Sequence, residues 1–432
     1  MEQAPLDWLF SLAQFGIKFG LENIQAIVAA LGHPERQYPS VHVAGTNGKG
    51  SVTAIVETAL RLAGHRTGRY TSPHLLDLTE RFAINGAPVS QADMLVAVAT
   101  VRQVVERLRA DGTLPVHPTF FEVTTATGFE LFRRHEVDVA VCEVGLGGRL
   151  DATNVLSPMV CAITSIGFDH EQYLGHTLGA IAGEKAGIIK PGTPMVVGPV
   201  DADAAAVIAS TAHERGAPLT WAMEGVVIER ALAPPDDGSQ RFALRTPDVD
   251  YGTVRFALAG DHQVANACVA VRLLEELDAR GLSVGREHVI GALNSVTWPG
   301  RLETVRLPDG REVLLDAAHN DAGADALARH LATLEAPRPL VFAAMRDKDV
   351  TAMLRRLAPR ASKLIVTRAS NPRSAEPSDL EAAARRVAPM LPVEIAASPA
   401  EALAQAWSTA PRIVVAGSIF LLADIMKELG RS

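Results

Sequence analysis

Three glycines, a lysine and a serine lie close together in the segment 45–51, directly after the alternating apolar residues Val41 and Val43. A strand, a glycine-rich loop and a helix N-terminus together form an anion site, because exposed backbone N–H groups and the helix dipole attract phosphate. In that arrangement Lys49 reaches the outer phosphates and Ser51 offers a hydroxyl to Mg²⁺. The segment therefore predicts a phosphate-binding loop.

This loop departs at two places from the pattern G-x-x-x-x-G-K-[ST] of phosphate-binding loops. Val43 stands where the pattern has its first glycine, and Gly50 follows Lys49 in place of Ser or Thr. A plain glycine-rich turn between a strand and a helix is therefore the alternative interpretation. The lysine and the hydroxyl stand where phosphate binding needs them, which favours phosphate binding.

Polar side chains also follow two later predicted strands. Glu143 ends the first of them, and Asp169 and His170 follow the second. Ligands of open parallel sheets bind at the carboxyl ends of the strands, so we expect these side chains to share a cleft with the loop. Glu143 is suited to Mg²⁺ binding, and its alternatives are a helix N-cap or an ion pair with Arg149. A metal or phosphate role for His170 is weighed against an ordinary structural histidine.

Further polar residues end predicted strands at Ser72 and at 316–320, 346–349 and 417–418. If two domains oppose their strand ends, these residues face the same cleft. Lys185 lies at the C-terminal end of a predicted helix, where its positive charge would interact favourably with the helix dipole. Carbamylation would turn this lysine into a carboxylate-like metal ligand, but residue spacing alone does not indicate it.

The bulk composition excludes several classes of protein. The chain has 432 residues, enough for two domains, and a formal net charge of −8 at pH 7. This balance argues against a broad nucleic-acid-binding face and against a basic helix on a membrane surface. No apolar stretch is long enough to span a membrane, and the N-terminal segment does not have the pattern of a signal peptide.

The three cysteines, Cys142, Cys161 and Cys268, are scattered and lack the spacing of a metal site. Two of them lie in apolar runs that have the character of strands. We therefore expect buried thiols in a reducing compartment and a cytoplasmic protein.

Short β-branched runs alternate with Ala/Leu-rich helical patterns, which is typical of parallel α/β architecture. Trp-Pro-Gly at 298–300 interrupts this pattern and predicts domains at 1–297 and 298–432. Short alternating runs in 218–258 predict an antiparallel β insert. The predicted fold class is α/β, with an N-terminal P-loop-type parallel-sheet domain that carries the small antiparallel β insert, and a C-terminal Rossmann-like α/β domain.

The pattern also gives bounds for individual elements. Predicted helices include one from Val52 onward and those at 91–110, 122–135, 178–186, 264–279, 325–334, 350–357, 380–387 and 421–429. Predicted strands include those at 41–43, 137–144, 160–166, 195–197, 313–315, 340–344, 363–367 and 412–416.

Taken together, the motifs resemble one family. Besides the loop, the residues that carry the resemblance are those at 71–75, 143–154, 169–170, 184–188, 260–267, 298–301 and 316–320. Their types and order resemble the folylpolyglutamate synthase and dihydrofolate synthase group of the Mur ligase superfamily. The resemblance extends over nearly the whole chain, and it makes the first domain an ATP-binding central domain and the second a glutamate-ligase domain.

The resemblance implies an ATP-dependent ligase that forms an amide. ATP phosphorylates a carboxylate to an acyl phosphate, the amine of L-glutamate attacks it, and ADP and phosphate are released. The implied acceptors are dihydropteroate and the glutamate tail of reduced folates. The implied cofactors are two Mg²⁺ ions, with ATP as cosubstrate, and a monovalent cation is a further candidate. We expect small-molecule partners, a monomer, and neither a nucleic acid nor a membrane as a partner.

Most of the residues that the resemblance assigns to catalysis, nucleotide and metal belong to the motifs above. The implied catalytic residues are Lys49, His170 and Lys185, the last as its carbamate. The implied ATP contacts are Asn47, Gly48, Lys49, Gly50, Ser51, Asn266, Arg301 and Asp316. The implied metal ligands are Ser51 and Glu143 for the first ion, and Ser72, Glu143, His170 and carbamylated Lys185 for the second.

The resemblance also assigns residues to the two other substrates. The incoming glutamate would lie near His319 and Ser418. The pterin would contact Ile17, Lys18, Phe19, Thr119, Phe120, Phe121, Glu122, Leu150, Asp151 and Ala152. Stacking of Phe120 or Phe121 on the pterin ring is weighed against an ordinary core role for each.

Two residues depart from the family pattern. Lys18 stands where some bifunctional members carry an acid, and Phe420 stands where many members have tyrosine. The rival interpretations are a Mur-type ligase for another amino acid and carboxylate, and a small-molecule kinase or nucleotide-gated binding protein. Gly50 after Lys49 favours the folate ligases over the first rival.

Overall fold

The residues before the glycine-rich loop form a central strand of a large sheet. The computed structural model describes residues 4–16, 18–230 and 238–431. Ser40–Ala44 is buried along its length and pairs in parallel with a strand on each side. Among the described residues, this sheet consists of β1 (Ser40–Ala44), β2 (Thr67–Tyr70), β3 (Phe82–Ile84), β4 (Ala87–Pro88), β5 (Val139–Glu143), β6 (Val160–Ile163), β7 (Met195–Val197) and β8 (Leu219–Trp221).

The strand order of this sheet is β4-β3-β2-β5-β1-β6-β7-β8. All neighbours from β2 to β8 pair in parallel, whereas β3 and β4 add an antiparallel edge. The predicted parallel sheet is confirmed, and its antiparallel edge is an addition. The centre of the sheet is β5-β1-β6, so the segments that follow these three strands lie side by side.

The helices of this part of the chain cover the sheet. They are α1 (Ala4–Ser11), α2 (Glu22–Ala30), α3 (Lys49–Leu62), α4 (Gln91–Ala110), α5 (Phe120–Arg134), α6 (Glu171–Leu174), α7 (Leu178–Ala186), α8 (Ala202–Glu214), α9 (Asp261–Asp278) and α10 (Arg286–Ser295). The first turn of α3 belongs to the glycine-rich loop, because Gly48 is its N-cap in a left-handed conformation (φ 89°). The helix therefore begins three residues before the predicted Val52.

The predicted antiparallel insert is present but shorter than 218–258. It consists of β9 (Val227–Arg230), β10 (Gln240–Arg245) and β11 (Asp250–Phe256), in the order β11-β10-β9. Leu219–Trp221 is not part of it, since this strand pairs in parallel with β7. Buried and more exposed side chains alternate along β10 and β11. Phe242 and Phe256 are on the buried side, with ring centroids 6.3 Å apart, and belong to the apolar core shared with α3 and α9.

A second sheet forms from residue 303 onward. In the described residues its strands are β12 (Glu303–Arg306), β13 (Glu312–Asp316), β14 (Arg338–Phe342), β15 (Ala361–Val366), β16 (Val393–Ile395) and β17 (Arg412–Ala416). The order is β12-β13-β17-β14-β15-β16, with β12 as an antiparallel edge and the other neighbours parallel. The predicted Rossmann-like α/β domain is confirmed.

The sheet of the second domain separates two apolar cores, and helices cover both. They are α11 (Asp321–Leu331), α12 (Val350–Leu357), α13 (Pro377–Val387), α14 (Pro399–Thr409) and α15 (Ile419–Glu428). One apolar cluster lies with α11, α12 and α13, and another lies with α14 and α15. Among the helices that the structure describes, none combines the length and apolar character needed to cross a bilayer. Cys142, Cys161 and Cys268 are buried free thiols, as predicted.

Candidate active site

The carboxyl ends of the two sheets face a common cleft with a volume of about 570 Å³. The loop after β1, the end of β5 and the loop after β6 supply one wall, and the loops after β13 and β17 supply the opposite wall. Fourteen of the predicted site residues line this cleft: Asn47, Gly48, Lys49, Gly50, Ser51, Ser72, Glu143, His170, Lys185, Asn266, Arg301, Asp316, His319 and Ser418.

The glycine-rich loop is held in one conformation by its own lysine and by its neighbours. Lys49 Nζ donates to the carbonyl oxygens of Gly45 at 3.0 Å and Thr46 at 3.2 Å. Ser165 Oγ accepts from the Asn47 N–H at 3.0 Å. The Lys49 ammonium also lies 3.9 Å from Glu143 Oε1, so the positive charge is directed along the mouth of the loop.

Gly48 lies against α9, which brings Asn266 to the loop. A Cβ atom at Gly48 would lie 2.3 Å from Asn266 Oδ1, so only glycine fits there. Asn266 is buried and its amide donates to Gln263 Oε1 at 3.0 Å. This helix therefore presents an amide oxygen directly beside the loop backbone.

Ser51 and Glu143 form a set of oxygen atoms that suits a hard cation. Ser51 Oγ is buried without a hydrogen-bond partner among the described residues. Burial raises the pKa of Glu143, and the nearby Lys49 and the Ser72 N–H, 3.4 Å from Oε2, oppose this shift. Hydroxyl and carboxylate oxygens are ligands that Mg²⁺ prefers. Where the structure describes side chains, no three of His, Cys, Asp and Glu are grouped as a metal site.

Lys185 is not an exposed charge at a helix end. It is only 4% exposed, and its Nζ donates to the Gly45 carbonyl at 3.1 Å, the same oxygen that Lys49 contacts. Burial, followed by the charge of Lys49, lowers the pKa of Lys185 to about 7. The residue pattern favoured an interaction of this charge with the helix dipole. The structure instead shows a buried amine that contacts the phosphate-binding loop.

Arg149 does not pair with Glu143, which removes one alternative interpretation of that carboxylate. The Arg149 guanidinium lies 2.7 Å from Glu184 Oε1 instead. Glu143 is also the last residue of β5 and not a helix N-cap. The carboxylate remains available to the cleft.

Asp169 connects the two domains. Its carboxylate accepts from Lys348 Nζ at 2.5 Å and from the Asn320 amide at 3.0 Å, and His319 Nε2 lies 3.6 Å away. Burial alone would raise the pKa of Asp169, but His319 and Lys348 outweigh it and hold the pKa well below its usual range. Asn320 also exchanges amide contacts with Asn47 at 3.1 and 3.2 Å. A buried polar network thus joins the loops after β1 and β6 to the second domain.

His170 adopts a left-handed backbone conformation (φ 52°) at the start of α6. Burial lowers the pKa of His170 to about 4, although the neighbouring Asp169 opposes this shift. Its imidazole is therefore neutral near pH 7 and has a nitrogen lone pair available for a cation.

Arg301 and Asp316 lie at the entrance to the second domain. Both oxygens of Asp316 accept backbone N–H groups, from Leu302 at 2.9 Å and Ala318 at 2.9 Å. Burial raises the pKa of Asp316, while the charge of Arg301 opposes the shift. The carboxylate therefore ties the chain directly after Arg301 to the loop after β13.

The remaining predicted residues of this wall end strands β13 and β17. His319 Nδ1 lies 2.8 Å from the Ala317 carbonyl, and its Nε2 lies 3.6 Å from Asp169 Oδ2. Ser418 is buried and caps α15 by accepting the Phe420 N–H at 3.2 Å. Phe420 lines the cleft, and no hydroxyl is present at its ring.

The predicted pterin residues do not line this cleft. Thr119 and Glu122 form the capping box of α5, with the Thr119 N–H 2.7 Å from Glu122 Oε2. Phe120 stacks on Phe10, with ring centroids 5.9 Å apart. Phe121 packs on Gly145, where a Cβ atom would lie 2.3 Å from the ring. Each of these contacts fits a structural role as well as a binding role.

The other residues of this predicted set also lie outside the cleft lining. Asp151 is buried, and its oxygens accept the N–H groups of Leu146 at 2.8 Å and Thr153 at 3.0 Å. Ala152 is buried beside it and Leu150 is partly exposed. The Phe19 ring lies 5.7 Å from that of Tyr173, while Lys18 is half-buried. Ile17 lies outside the described residues.

Several cleft residues were not predicted as site residues. They include His262, Arg329, Lys348 and Arg373. Lys348 lies in the strand-end segment 346–349, so its position alone gave a usable signal. Arg329 lies in the last turn of α11 and Arg373 in the loop after β15, where no motif marks them.

Comparison with known proteins gives matches for both domains. Residues 300–419 match the Mur ligase, glutamate ligase domain, and residues 43–274 match the Mur ligase middle domain. The chain is 35% identical to a dihydrofolate synthase/folylpolyglutamate synthase of Bacillus subtilis, with 99% of each chain covered.

Two solved structures are similar to the whole chain. One is Mycobacterium tuberculosis folylpolyglutamate synthase complexed with ADP and AMPPCP, with a TM-score of 0.91, 34% identity and 100% of each chain covered. The other is Escherichia coli FolC in complex with DHPP and ADP, with a TM-score of 0.85, 28% identity and coverage of 99% of this chain and 97% of that one.

Proposed function

Since the chain belongs to the Mur ligase family, in its group of dihydrofolate synthases and folylpolyglutamate synthases, we propose that its cleft joins L-glutamate to a folate-type carboxylate. The enzyme is an ATP-dependent ligase that forms an amide. Its substrates are dihydropteroate, which becomes dihydrofolate, and the glutamate tail of reduced folates. The observation that carries this proposal is the single cleft in which the phosphate-binding loop faces the strand ends of the second domain.

The reaction needs ATP because a carboxylate is a poor acyl donor. A carboxylate oxygen attacks the terminal phosphorus of ATP, which gives an acyl phosphate and ADP. The neutral amine of glutamate then attacks the acyl carbon and loses a proton as the amide forms, and the bond between the acyl carbon and the phosphate oxygen breaks to release phosphate. Phosphoryl transfer depends mainly on positioning and charge neutralisation, which the loop, its helix N-terminus and Lys49 supply.

The oxygen-rich corner of the cleft fits Mg²⁺. Ser51 and Glu143 would hold a first ion, and Ser72, Glu143 and His170 would hold a second with Lys185 as its carbamate. The unpartnered Ser51 hydroxyl and the available Glu143 carboxylate support this assignment. Bound Mg²⁺ would neutralise the charge of the phosphate oxygens. Lys49 would continue to hold the loop through its hydrogen bond to the Gly45 carbonyl. The imidazole of His170 would be neutral and could therefore offer a nitrogen lone pair to an ion.

The second domain supplies the other half of the site. We place the domain boundary between residues 297 and 298, at the start of the linker that carries Arg301. Arg301 is assigned to a phosphate and Asp316, with Asn266 from α9, to the adenosine. His319 and Ser418 are assigned to glutamate. Domain closure would bring these groups to the phosphate-binding loop.

One chain supplies all of these residues, so we propose that the enzyme acts as a monomer. The free thiols of Cys142, Cys161 and Cys268 support a reducing, cytoplasmic location. The pterin would bind at the edge of the cleft, where Phe121 packs on Gly145 and Phe19 contacts Tyr173. Gly145 itself lines the cleft, which supports a pterin site next to the acyl-transfer region.

A substrate screen tests the proposed function. Phosphate release from ATP should require both glutamate and an acceptor, because the acyl phosphate is consumed only when the amine attacks it. The screen uses dihydropteroate and tetrahydrofolate, each with and without glutamate, and identifies the products by mass. Phosphate release with dihydropteroate that is independent of glutamate would instead indicate a kinase-type activity and would refute the ligase assignment.

The ion pair between Asp169 and Lys348 is expected to hold the closed arrangement of the domains. Asp169→Asn and Lys348→Gln should each lower kcat/KM for ATP by roughly 10- to 100-fold, because each deprives the remaining buried charge of its shortest ion-pair contact. The double variant should lose no more than the more severe single variant, since neither charge is then left alone. Steady-state kinetics of all four proteins measure this coupling.

The exposed ion pair of Arg385 and Glu381 on α13 is a matched control. Its charge-removing variants should change kcat/KM by less than about twofold, because exposed pairs contribute little. Losses that multiply in the Asp169→Asn/Lys348→Gln double variant would show that the two residues act separately.

A further inference from the structure

Trp298, in the linker between the domains, packs on the glycine that departs from the phosphate-loop pattern. A Cβ atom at Gly50 would lie 2.7 Å from Cζ2 and 2.9 Å from Cε2 of the Trp298 indole, which is closer than side chains approach one another. Gly50 is in the first turn of α3, and glycine is a poor residue inside a helix. The close approach of the indole is therefore the physical reason for glycine at this position.

Arg69 also contacts the indole ring. The Arg69 guanidinium carbon lies 5.0 Å from the centroid of the Trp298 ring, within the range of a cation–π contact. Arg69 Nη1 lies 3.5 Å from Glu57 Oε2, and Glu57 is buried on α3. Positions 50 and 57 are seven residues apart and share one face of that helix. Gly50, Trp298, Arg69 and Glu57 thus form a continuous series of contacts along one face of α3.

The next residues of the linker are attached to the second domain. The Gly300 carbonyl accepts the Ala317 N–H at 2.8 Å, and the Leu302 N–H donates to Asp316 at 2.9 Å. Only Pro299 separates these attachments from Trp298. Since proline has a nearly fixed φ, the rotation between the domains is confined to very few backbone torsions.

We propose that Trp298 is a positioning residue that couples the nucleotide loop to the orientation of the second domain. A shift of the first turn of α3 when nucleotide binds would press on the indole, and the linker would carry that shift to Arg301, three residues later. Arg301 lines the cleft, so its approach to the phosphates depends on this contact. The inference rests on the proposed function and deepens it, because it concerns how the same site is assembled.

A rescue experiment tests the coupling. Gly50→Ala should lower kcat/KM for ATP on the order of 100-fold, because the added methyl group displaces the indole. Trp298→Leu should lower it on the order of tenfold, and the double variant should recover on the order of tenfold relative to Gly50→Ala, because leucine leaves room for the methyl group. Trp298→Phe keeps an aromatic ring over Arg69 and should retain most of the activity.

Trp407 gives a matched control. It is also covered by an arginine, with Arg311 4.2 Å from its ring centroid, but it belongs to α14 of the second domain and not to the linker. Gly50→Ala/Trp407→Leu should show no recovery. The change in tryptophan fluorescence on addition of AMPPCP should be lost in Trp298→Phe and retained in Trp407→Phe, a readout that a merely structural role would not change.

Two outcomes would overturn the proposal, and calorimetry with ADP separates them from failure of the proposed function. Suppose that the wild-type enzyme binds ADP and that the losses of kcat/KM in Gly50→Ala and Trp298→Leu multiply in the double variant. The coupling is then refuted, while the proposed function stands. An unchanged fluorescence response in Trp298→Phe refutes it as well. If the wild-type enzyme does not bind ADP, the proposed function falls and this inference falls with it. Thermal melting of every variant identifies any loss of folded protein, and Trp298→Phe preserves the test if Trp298→Leu unfolds.

Discussion

Lys49→Ala is expected to abolish ligase turnover, with a loss of kcat on the order of 1000-fold or more. The ammonium is the positive charge of the loop, and its contacts with the Gly45 and Thr46 carbonyls and with Glu143 hold it beside the phosphate path. Without it, charge on the transferred phosphoryl group is less well neutralised as the bond to ADP breaks. Glutamate-dependent phosphate release with dihydropteroate measures the loss.

Two further variants separate this chemical role from a structural one. Lys49→Met keeps the length of the side chain but removes the charge and the donors, so it should be about as inactive as Lys49→Ala. Lys363→Ala is the control, because Lys363 pairs with Glu394 on the second sheet at 2.7 Å and does not line the cleft. Its activity should stay within about twofold of wild type. A folded Lys49→Met enzyme with nearly normal turnover would refute the assigned role.

The parallel sheets could be predicted from sequence because buried strands and amphipathic helices alternate with distinct periods. Helices Gln91–Ala110 and Leu178–Ala186 and strand Arg412–Ala416 have the predicted bounds. The start of α9 was predicted at Val264 and lies at Asp261, because its N-cap is Gly260. Glycine lacks the side-chain oxygen that marks most helix N-termini, so the boundary carries no residue signal.

Some elements were missed although local signals were present. Helix α8 begins after Asp201, whose carboxylate accepts the Asp203 N–H, and its Ala-rich sequence has high helix propensity. The hairpin β3–β4 is only a few residues long and contains Pro88. Its alternation of apolar and polar residues is therefore too short to predict a strand. Strand β8 was placed near the insert because three residues do not define a sheet partner.

The first wall of the candidate site could be predicted because its residues end adjacent strands. The Asp169–Lys348 pair joins residues 179 positions apart, and the Gly50–Trp298 contact joins residues of different domains. Such contacts depend on how the two sheets are placed against each other, and no local periodicity encodes that placement. Gly50 appeared as a misfit to a phosphate-loop pattern, and only the packed indole explains it.

Lys185→Ala is expected to lower turnover on the order of 100-fold, and short carboxylic acids should restore part of it. In the structure two lysine ammonium groups, those of Lys49 and Lys185, contact the same Gly45 carbonyl. A second buried positive charge beside the phosphate path would repel Mg²⁺. A carbamate, formed when the neutral amine attacks CO₂ and loses a proton, removes that repulsion and supplies oxygen ligands.

The environment of Lys185 favours this modification. Burial, with help from Lys49, lowers the pKa of Lys185 to about 7, so a large fraction of the amine is neutral and nucleophilic near pH 7. Higher pH and added bicarbonate should therefore increase the modified fraction. Carbon NMR after incubation with isotopically labelled bicarbonate should show a carbamate signal in wild type and none in Lys185→Ala.

Lys190→Ala is the matched control for rescue by carboxylic acids. Lys190 is a nearby, partly buried lysine that donates to the Asn154 carbonyl at 2.7 Å and does not line the cleft. Acetate or propionate should restore on the order of tenfold in Lys185→Ala, because the deleted side chain leaves space for a carboxylate next to Gly45. Neither acid should improve Lys190→Ala. Absence of rescue together with an unmodified wild-type lysine would remove the carbamate from the mechanism and leave Lys185 as a hydrogen-bond donor that holds the loop.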